Sequence, residues 1–263
     1  AAEREVWLSG VEVDPRFKPE NVNTTAVAEG DHYVIHGSKL FVENFNTADQ
    51  CLVVCRTAQA THNNPGISLF IVDTTSPGIS QTLLPTMAGD KQSQVVFDHV
   101  RVPAANLVGE LHQGWAIAER MVERATALMC AQMVGASRKA MEMGVDYSKT
   151  RIVFGRPLGT FQAIQHMCAD MVTWVDGAEM LTFEALWRLS EGLPASTEVS
   201  TAKAFCNERC AMVLRQANHI HGGLAQTREF NLNLWFRRVS AWSMKLGTTF
   251  EHRAKIAKAM GLI

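Results

Sequence analysis

The hydrophobic pattern of this sequence changes its period once, shortly after Pro103, and this change restricts the folds that the chain can adopt. Upstream of it, short runs of β-branched and aromatic residues are separated by turn signals such as Asn64-Pro65-Gly66, which is typical of strands joined by tight connections. The regular spacing of these runs predicts a small β-barrel or sandwich. Four strands are predicted: His32–His36, Cys51–Cys55, Ile67–Val72 and Gln94–Phe97.

From Gly114 onward, apolar residues recur every three or four positions, as they do on the buried face of a helix. The α+β architecture that follows is a β domain at residues 1–107 and an antiparallel, four-helix-type bundle at residues 108–263. The pattern predicts five helices, separated by glycine and proline, over about 111–149, 160–192, 196–219, 227–244 and 249–261.

The composition excludes several classes of function. The 263 residues carry a net charge of −1 and no basic stretch, so nucleic acid is not an expected partner. No apolar run reaches the ~18 residues of a membrane span. The sequence begins with Ala rather than Met and has no signal-peptide core, so we expect the natural N-terminus to lie upstream.

The six cysteines predict buried free thiols rather than disulfides or a metal site. Cys51 and Cys55 are separated by ~13 Å along a strand, which is too far for a disulfide. Cys206 and Cys210 lie one turn apart on a predicted helix, but no second pair of metal ligands accompanies them. Free thiols indicate a reducing compartment, so we expect a cytoplasmic protein.

Four segments of the sequence form an ordered set of motifs. Two are the β segments Gly66–Gly78 and Phe97–Glu110, the third is the Arg-x-x-Phe-Gly-x-Pro…Phe-Gln pattern of residues 151–162, and the fourth is residues 219–249. In this order and at these separations they resemble the acyl-CoA dehydrogenase family, whose C-terminal signature residues 219–249 follow without a gap. The resemblance implies the family's middle β domain and C-terminal helical domain, without its N-terminal helical domain.

The resemblance also implies a FAD-dependent oxidoreductase that desaturates an acyl-CoA thioester between Cα and Cβ. In such enzymes a carboxylate takes the α-proton while the flavin accepts a hydride, so the base must lie within reach of the substrate. The family's two base positions correspond here to Leu246 and Ala125, and neither side chain can accept a proton. Of two nearby candidates, Glu123 lies ~200° around the helix from Ala125, and Gln132 is an amide. No catalytic residue is therefore predicted.

By the same resemblance, five residues are expected to contact the FAD of a neighbouring subunit. Arg151 matches a pyrophosphate contact, to which a planar, permanently charged guanidinium is suited. The others are Phe154 and Gln162 on the adenine side, and Gly222 and Gly223, which would let backbone approach the cofactor. Each has a plainer interpretation, because a cation is favourable at a helix C-terminus and glycines can end a helix.

Three hypotheses remain open on the sequence. In the first, the chain is a subunit of a heteromeric acyl-CoA dehydrogenase and supplies these residues to a partner's FAD, because its own base is missing. Segments Cys130–Gly135 and Ile220–Gly223 resemble the branch that acts on sterol side-chain CoA thioesters. In the second, it is a homo-oligomeric flavoprotein, such as a tetramer, with an unrecognised base. In the third, it is a non-catalytic binding protein. The family resemblance also implies an electron-transfer flavoprotein as electron acceptor.

Overall fold

The computed structural model describes residues 6–9, 17–227 and 229–263 of a chain that forms two compact units, residues 1–121 and 122–263. The expected domain boundary at 107/108 remains a prediction. The strands of the first unit are β1 Val6–Ser9, β2 Thr25–Glu29, β3 His32–Glu43, β4 Gln50–Arg56, β5 Ile67–Asp73, β6 Ile79–Leu84, β7 Gln92–Pro103 and β8 Leu107–Val108.

These strands form one mixed sheet in the order β6-β7-β3-β2-β4-β5-β8, with β1 pairing in parallel with β4. Within the described residues, β6 and β8 are the ends of this order and do not pair with each other. The predicted α+β class is confirmed, and of the two predicted β forms the closed barrel is excluded for the strands described.

Strand β4 shows why its sequence is a continuous apolar run instead of an alternating one. Cys51, Val53 and Cys55 belong to one hydrophobic core, whereas Leu52 and Val54 belong to a second core on the opposite face of the sheet. A strand that is buried on both faces has no polar side to mark its period.

The second unit is helical and adds one small hairpin. Its core consists mainly of Ala, Val, Met and Cys side chains from four helices. Helix α1 begins in the first unit and continues into the second. The helices are α1 Gly114–Thr150, α2 Gln162–Ser190, α3 Ser196–His221, α4 Asn231–Trp242 and α5 Thr249–Ala259, and the hairpin strands are β9 Ile152–Val153 and β10 Arg156–Pro157.

Two contacts fix the relative direction of α1 and α3. The Lys203 ammonium lies 3.9 Å from the Met133 sulfur, and farther along both helices the Tyr147 ring stacks on His221 at 4.5 Å. The two helices therefore run the same way, and both end near Tyr147 and His221. Because α2 follows α1 after the short connection 151–161, the N-terminus of α2 lies at this same end of the bundle.

The five predicted helices are confirmed, with ends within about four residues of those expected, and the four predicted strands lie within β3, β4, β5 and β7. All six cysteines are free, and five are buried; Cys168 is half-buried. Among the described residues, no helix is long and apolar enough to cross a bilayer.

Candidate functional site

The end of the bundle where α1 and α3 terminate carries all five residues expected to contact a cofactor. Arg151 is the first residue after α1, and its backbone is fixed on both sides. Its N–H donates to the Tyr147 carbonyl at 2.9 Å, and its carbonyl accepts from the Leu158 N–H at 2.8 Å. The side chain is exposed, and no carboxylate of the described residues forms an ion pair with it. The guanidinium is therefore accessible to an anion.

Phe154 is the second feature of this end, and its conformation is unusual. Val153 pairs with Arg156, so Phe154 and Gly155 form a two-residue turn, with φ of 52° and 77°. Two positive φ values define a type I′ turn, which favours Asn-Gly, and a left-handed conformation costs most other residues about 1–2 kcal/mol. The ring is 91% exposed and meets Phe161 edge-on at 6.3 Å. Packing within the described residues does not account for an aromatic side chain here.

Gln162 is the first residue of α2 and is exposed. It follows Phe161, whose ring lies 4.1 Å beneath the Arg156 guanidinium. Close by, a groove of about 480 Å³ runs between the end of α1 and the start of α2, with Ser148 and Gln165 among its lining residues. The hairpin and the α2 N-terminus thus form one polar and aromatic surface.

Gly222 and Gly223 follow α3 and differ in why they are glycine. Gly222 ends the helix at φ 63° and ψ −141°, a conformation that is almost restricted to glycine. Gly223 has no positive φ, and a Cβ added to either residue would meet nothing within 4 Å. The backbone conformation explains why residue 222 is glycine. Neither conformation nor packing among the described residues explains why residue 223 is glycine, and its backbone is open to a ligand.

The residue before this pair anchors it. His221 is buried, and its Nδ1 lies 2.8 Å from the Ala217 carbonyl, which accepts the hydrogen bond. Its ring also packs between Tyr147 and Phe230, at 4.5 and 5.1 Å. An exposed guanidinium, an exposed aromatic ring and open glycine backbone are therefore held at one end of the bundle, which is a donor set that fits a dinucleotide.

The loop that is expected to carry the family's base position joins α4 to α5. Leu246 is half-buried with φ 57°, and Gly247 has φ 105°. His252 is 2% exposed, and its Nε2 donates to the Leu246 carbonyl at 2.9 Å. A Cβ on Gly247 would lie 2.5 Å from that nitrogen, so only glycine fits between the loop and His252. The Leu246 backbone is thus held by a hydrogen bond at its carbonyl, and its side chain offers no carboxylate.

A buried lysine supports the same loop. The Lys203 ammonium is fully buried and donates to the Trp242 carbonyl and to Asn207 Oδ1, both at 2.7 Å. Asn207 in turn donates to the Gly247 carbonyl at 3.2 Å. Burial lowers the pKa of Lys203 to about 8, because charge is disfavoured away from water. The sequence did not reveal this network, although Lys203 falls on the apolar face of α3 between Val199 and Cys206.

Two titratable groups near Leu246 are already engaged in hydrogen bonds that stabilise the fold. Glu251 forms a capping box: its carboxylate accepts from the Thr248 N–H at 2.8 Å, and the Thr248 hydroxyl accepts from the Glu251 N–H. The Thr248 backbone hydrogen bond lowers the pKa of Glu251, which makes it a poor base. Burial lowers the pKa of His252 to about 4. The other expected base position, Ala125, is half-buried on α1, and Gln132 is exposed.

The loop and the glycine end lie far apart within one chain. Asn207, which holds the loop, precedes Gly222 by fifteen residues of the same helix. At ~1.5 Å per residue this is about 22 Å along α3. The residues expected to contact a cofactor and the base position are therefore not brought together by this chain alone.

Comparison with known proteins identifies the scaffold. Residues 112–261 match the family model "Acyl-CoA dehydrogenase, C-terminal domain", and residues 12–100 match "Acyl-CoA dehydrogenase, middle domain". The chain belongs to the acyl-CoA dehydrogenase family. This confirms the resemblance found in the sequence, whereas the sterol side-chain branch remains a hypothesis.

Among similar proteins of this family, the 3-(aryl)acrylate reductase of Clostridium sporogenes is 30% identical over 239 residues, which are 90% of this chain and 63% of that protein. The cyclohexane-1-carbonyl-CoA dehydrogenase of Geobacter metallireducens is 30% identical over 241 residues, again 90% of this chain and 63% of the relative. Butyryl-CoA dehydrogenase from Megasphaera elsdenii superposes with a TM-score of 0.93 at 27% identity, covering 98% of this chain and 68% of that one. The chain thus spans about 63% of the length of these curated relatives.

Proposed function

We propose that this chain is a subunit of a FAD-dependent acyl-CoA dehydrogenase assembly, in which it completes the cofactor site of a related subunit that carries the base. The observation that carries the proposal is the Leu246 loop. Lys203, Asn207 and His252 hold its backbone, yet the side chain at the expected base position is apolar. Leucine has no group that can take a proton from carbon.

The five residues at the end of the bundle have separate tasks in this proposal. The bound FAD would accept the hydride, and this chain's residues would hold its nucleotide part. Arg151 would form charge-assisted hydrogen bonds to the pyrophosphate, which its exposed guanidinium and fixed backbone allow. Phe154 and Gln162 would face the adenine side, and Gly222 and Gly223 would admit the cofactor against open backbone.

The separation along α3 supports sharing between subunits. In this proposal the chain contacts FAD at Gly222, whereas its own Leu246 loop lies about 22 Å away along α3. Such a chain is suited to contribute to a cofactor at an interface, where a second subunit provides the remaining contacts. Its carboxylate nearest in sequence to Leu246, Glu251, is engaged in a helix cap, which argues against self-sufficient catalysis.

Substrate and electron partner are proposed at the level of class. The cyclohexane-1-carbonyl-CoA dehydrogenase and the butyryl-CoA dehydrogenase differ in acyl group and are both similar to this chain, so we propose an acyl-CoA thioester as substrate. An electron-transfer flavoprotein is the proposed electron acceptor. One relative, 29% identical over 231 residues, is a subunit of the caffeyl-CoA reductase-Etf complex of Acetobacterium woodii.

The test is the visible absorbance of the purified chain, prepared alone and after co-expression with a related subunit that contains Glu-Gly-Thr. We expect flavin only in the complex. Arg151→Ala should weaken flavin retention roughly tenfold to a hundredfold, because charged hydrogen bonds contribute about 1.5–3 kcal/mol. The control is Lys139→Ala, which removes an exposed cation in the middle of α1 whose ion pair spans 3.9 Å.

Flavin absorbance together with acyl-CoA oxidation by the chain alone would contradict the shared site. Equal retention by the parent and Arg151→Ala complexes would remove Arg151 from the proposal. A complex that forms without flavin would favour a non-catalytic binding protein.

A further inference from the structure

A β-bulge brings together three side chains that are distant in sequence. Where β3 pairs with β7, Ile35 is opposite Val100 and Gly37 is opposite Phe97. His36 alone therefore faces two residues, Asp98 and His99, which is the two-against-one arrangement of a bulge. In a regular strand Asp98 and His99 would point to opposite faces, because side chains alternate. His99 instead adopts φ 54°, which redirects its side chain toward His36.

The bulge is firmly held. The Asp98 N–H donates to the Gly78 carbonyl at 2.9 Å, just before β6. A Cβ on Gly78, which has φ 89°, would clash with the Asp98 carbonyl, so the close approach requires glycine there. The positions of Asp98 and His99 thus follow from the sheet and do not depend on a loose loop.

The three side chains converge on one point. The His36 and His99 ring centroids are 4.9 Å apart. Asp98 Oδ1 lies 2.7 Å from His99 Nδ1 and 3.6 Å from His36 Nδ1. One donor atom from each residue can be chosen so that all three lie within 4.8 Å of one another. All three side chains are exposed, so an ion in solvent can reach them.

We propose that His36, Asp98 and His99 bind a divalent first-row transition metal ion, with Zn²⁺ as the representative ion. Two imidazole nitrogens and one carboxylate oxygen are ligands that Zn²⁺ takes at about 2.0–2.2 Å, with water completing the coordination. Mg²⁺ and Ca²⁺ prefer oxygen ligands and are disfavoured here. The site is independent of the proposed cofactor contacts, since it lies wholly within residues 32–103.

This proposal departs from the sequence expectation of no metal site. That expectation considered only the spacing of cysteines along the chain. His36 and Asp98 are 62 positions apart, and only the register of β3 against β7 makes them neighbours.

The experiment is a calorimetric titration of tag-free, chelator-stripped chain with ZnCl₂. We expect one ion per chain, and at least about tenfold weaker binding in His36→Gln, in Asp98→Asn and in His99→Asn. Asn is chosen at position 99 because it tolerates a left-handed backbone. The matched control is His62→Gln, an exposed histidine in the loop between β4 and β5, which should bind as the parent does.

Circular dichroism of each variant shows whether the fold is kept. If His99→Asn fails to fold, His36→Gln decides, because its exposed side chain can change without affecting the core. Absence of saturable binding, or parent-like affinity in both His36→Gln and Asp98→Asn, would overturn the proposal. Binding that His62→Gln weakens as much as His36→Gln does would show non-specific surface coordination and would overturn it as well.

Discussion

Replacing His252 by Gln is expected to remove an acid-sensitive part of the stability of residues 122–263. His252 is 2% exposed, and its Nε2 donates to the Leu246 carbonyl. Its Nδ1 is buried and has no hydrogen-bond partner among the described residues. Protonation would therefore place a charge and an unpaired N–H away from water, and burial accordingly lowers the pKa of His252 to about 4.

The magnitude follows from the difference between folded and unfolded pKa. The folded pKa is about 4, against 6.5 for an ordinary histidine. At ~1.36 kcal/mol per pKa unit, full protonation of His252 therefore lowers the free energy of unfolding by about 3 kcal/mol. Because the unfolded chain binds the proton more tightly, this stability is present above pH 6.5. It is lost as the pH falls from 6.5 to 4. Between pH 7 and pH 5 the loss is about 2 kcal/mol, or roughly 4–8 °C in Tm.

Urea unfolding at pH 7 and pH 5 measures this loss. The parent should lose about 2 kcal/mol more than His252→Gln, in which the amide can still donate to the Leu246 carbonyl. His166→Gln, at an exposed position on α2, should behave as the parent does. Equal losses in the parent and in His252→Gln would refute the reasoning, as would an NMR titration of the His252 ring with a midpoint near pH 6.5.

Two further predictions concern Lys203 and Phe154. Burial lowers the pKa of Lys203 from 10.5 to about 8. The free-energy cost of burying the charged ammonium is therefore fully present below pH 8, and it decreases as the pH rises toward 10.5. The parent should therefore gain about 1 kcal/mol relative to Lys203→Met between pH 7.5 and 9, measured by urea unfolding; a parallel pH dependence of the two proteins would contradict this. Phe154→Asn should change stability by no more than about 1 kcal/mol, because relief of the left-handed strain offsets the lost edge contact with Phe161, yet it should reduce flavin retention in the co-expressed complex. A stability loss above about 2 kcal/mol with unchanged flavin would instead make Phe154 a structural residue.

Helices α1 to α4 could be predicted because each has one face in a large core, and burial of a face imposes a period on the sequence. Strand β6 was not predicted. It is an edge strand with four of its six residues exposed, so burial imposes no pattern on it. The hairpin β9–β10 was missed for a related reason. Its strands have two residues each, and its turn has Phe154 where the usual signal would be Asn.

The expectation that Leu246 stands at a base position rests on one position of a motif, whereas the groups that hold its loop could not be predicted from the sequence. Lys203 is fully buried, and burial of a lysine depends on partners such as the Trp242 carbonyl, which is 39 positions away. The pairing of His36 with Asp98 likewise depends on strand register. Local pattern determines which face of an element is buried, but not which polar atoms meet across the fold.

The backbone around Leu246 has a consequence for how related subunits can diverge. The loop is shaped by hydrogen bonds to its carbonyls and by a glycine that no other residue can replace, and none of these contacts involves the side chain at position 246. In the proposed assembly, a single substitution at this position would remove the proton-accepting group while the hydrogen bonds that shape the loop stay the same. In the proposed assembly, two related subunits could therefore specialise, one for chemistry and one for completing the partner's cofactor site, without rebuilding this part of the fold.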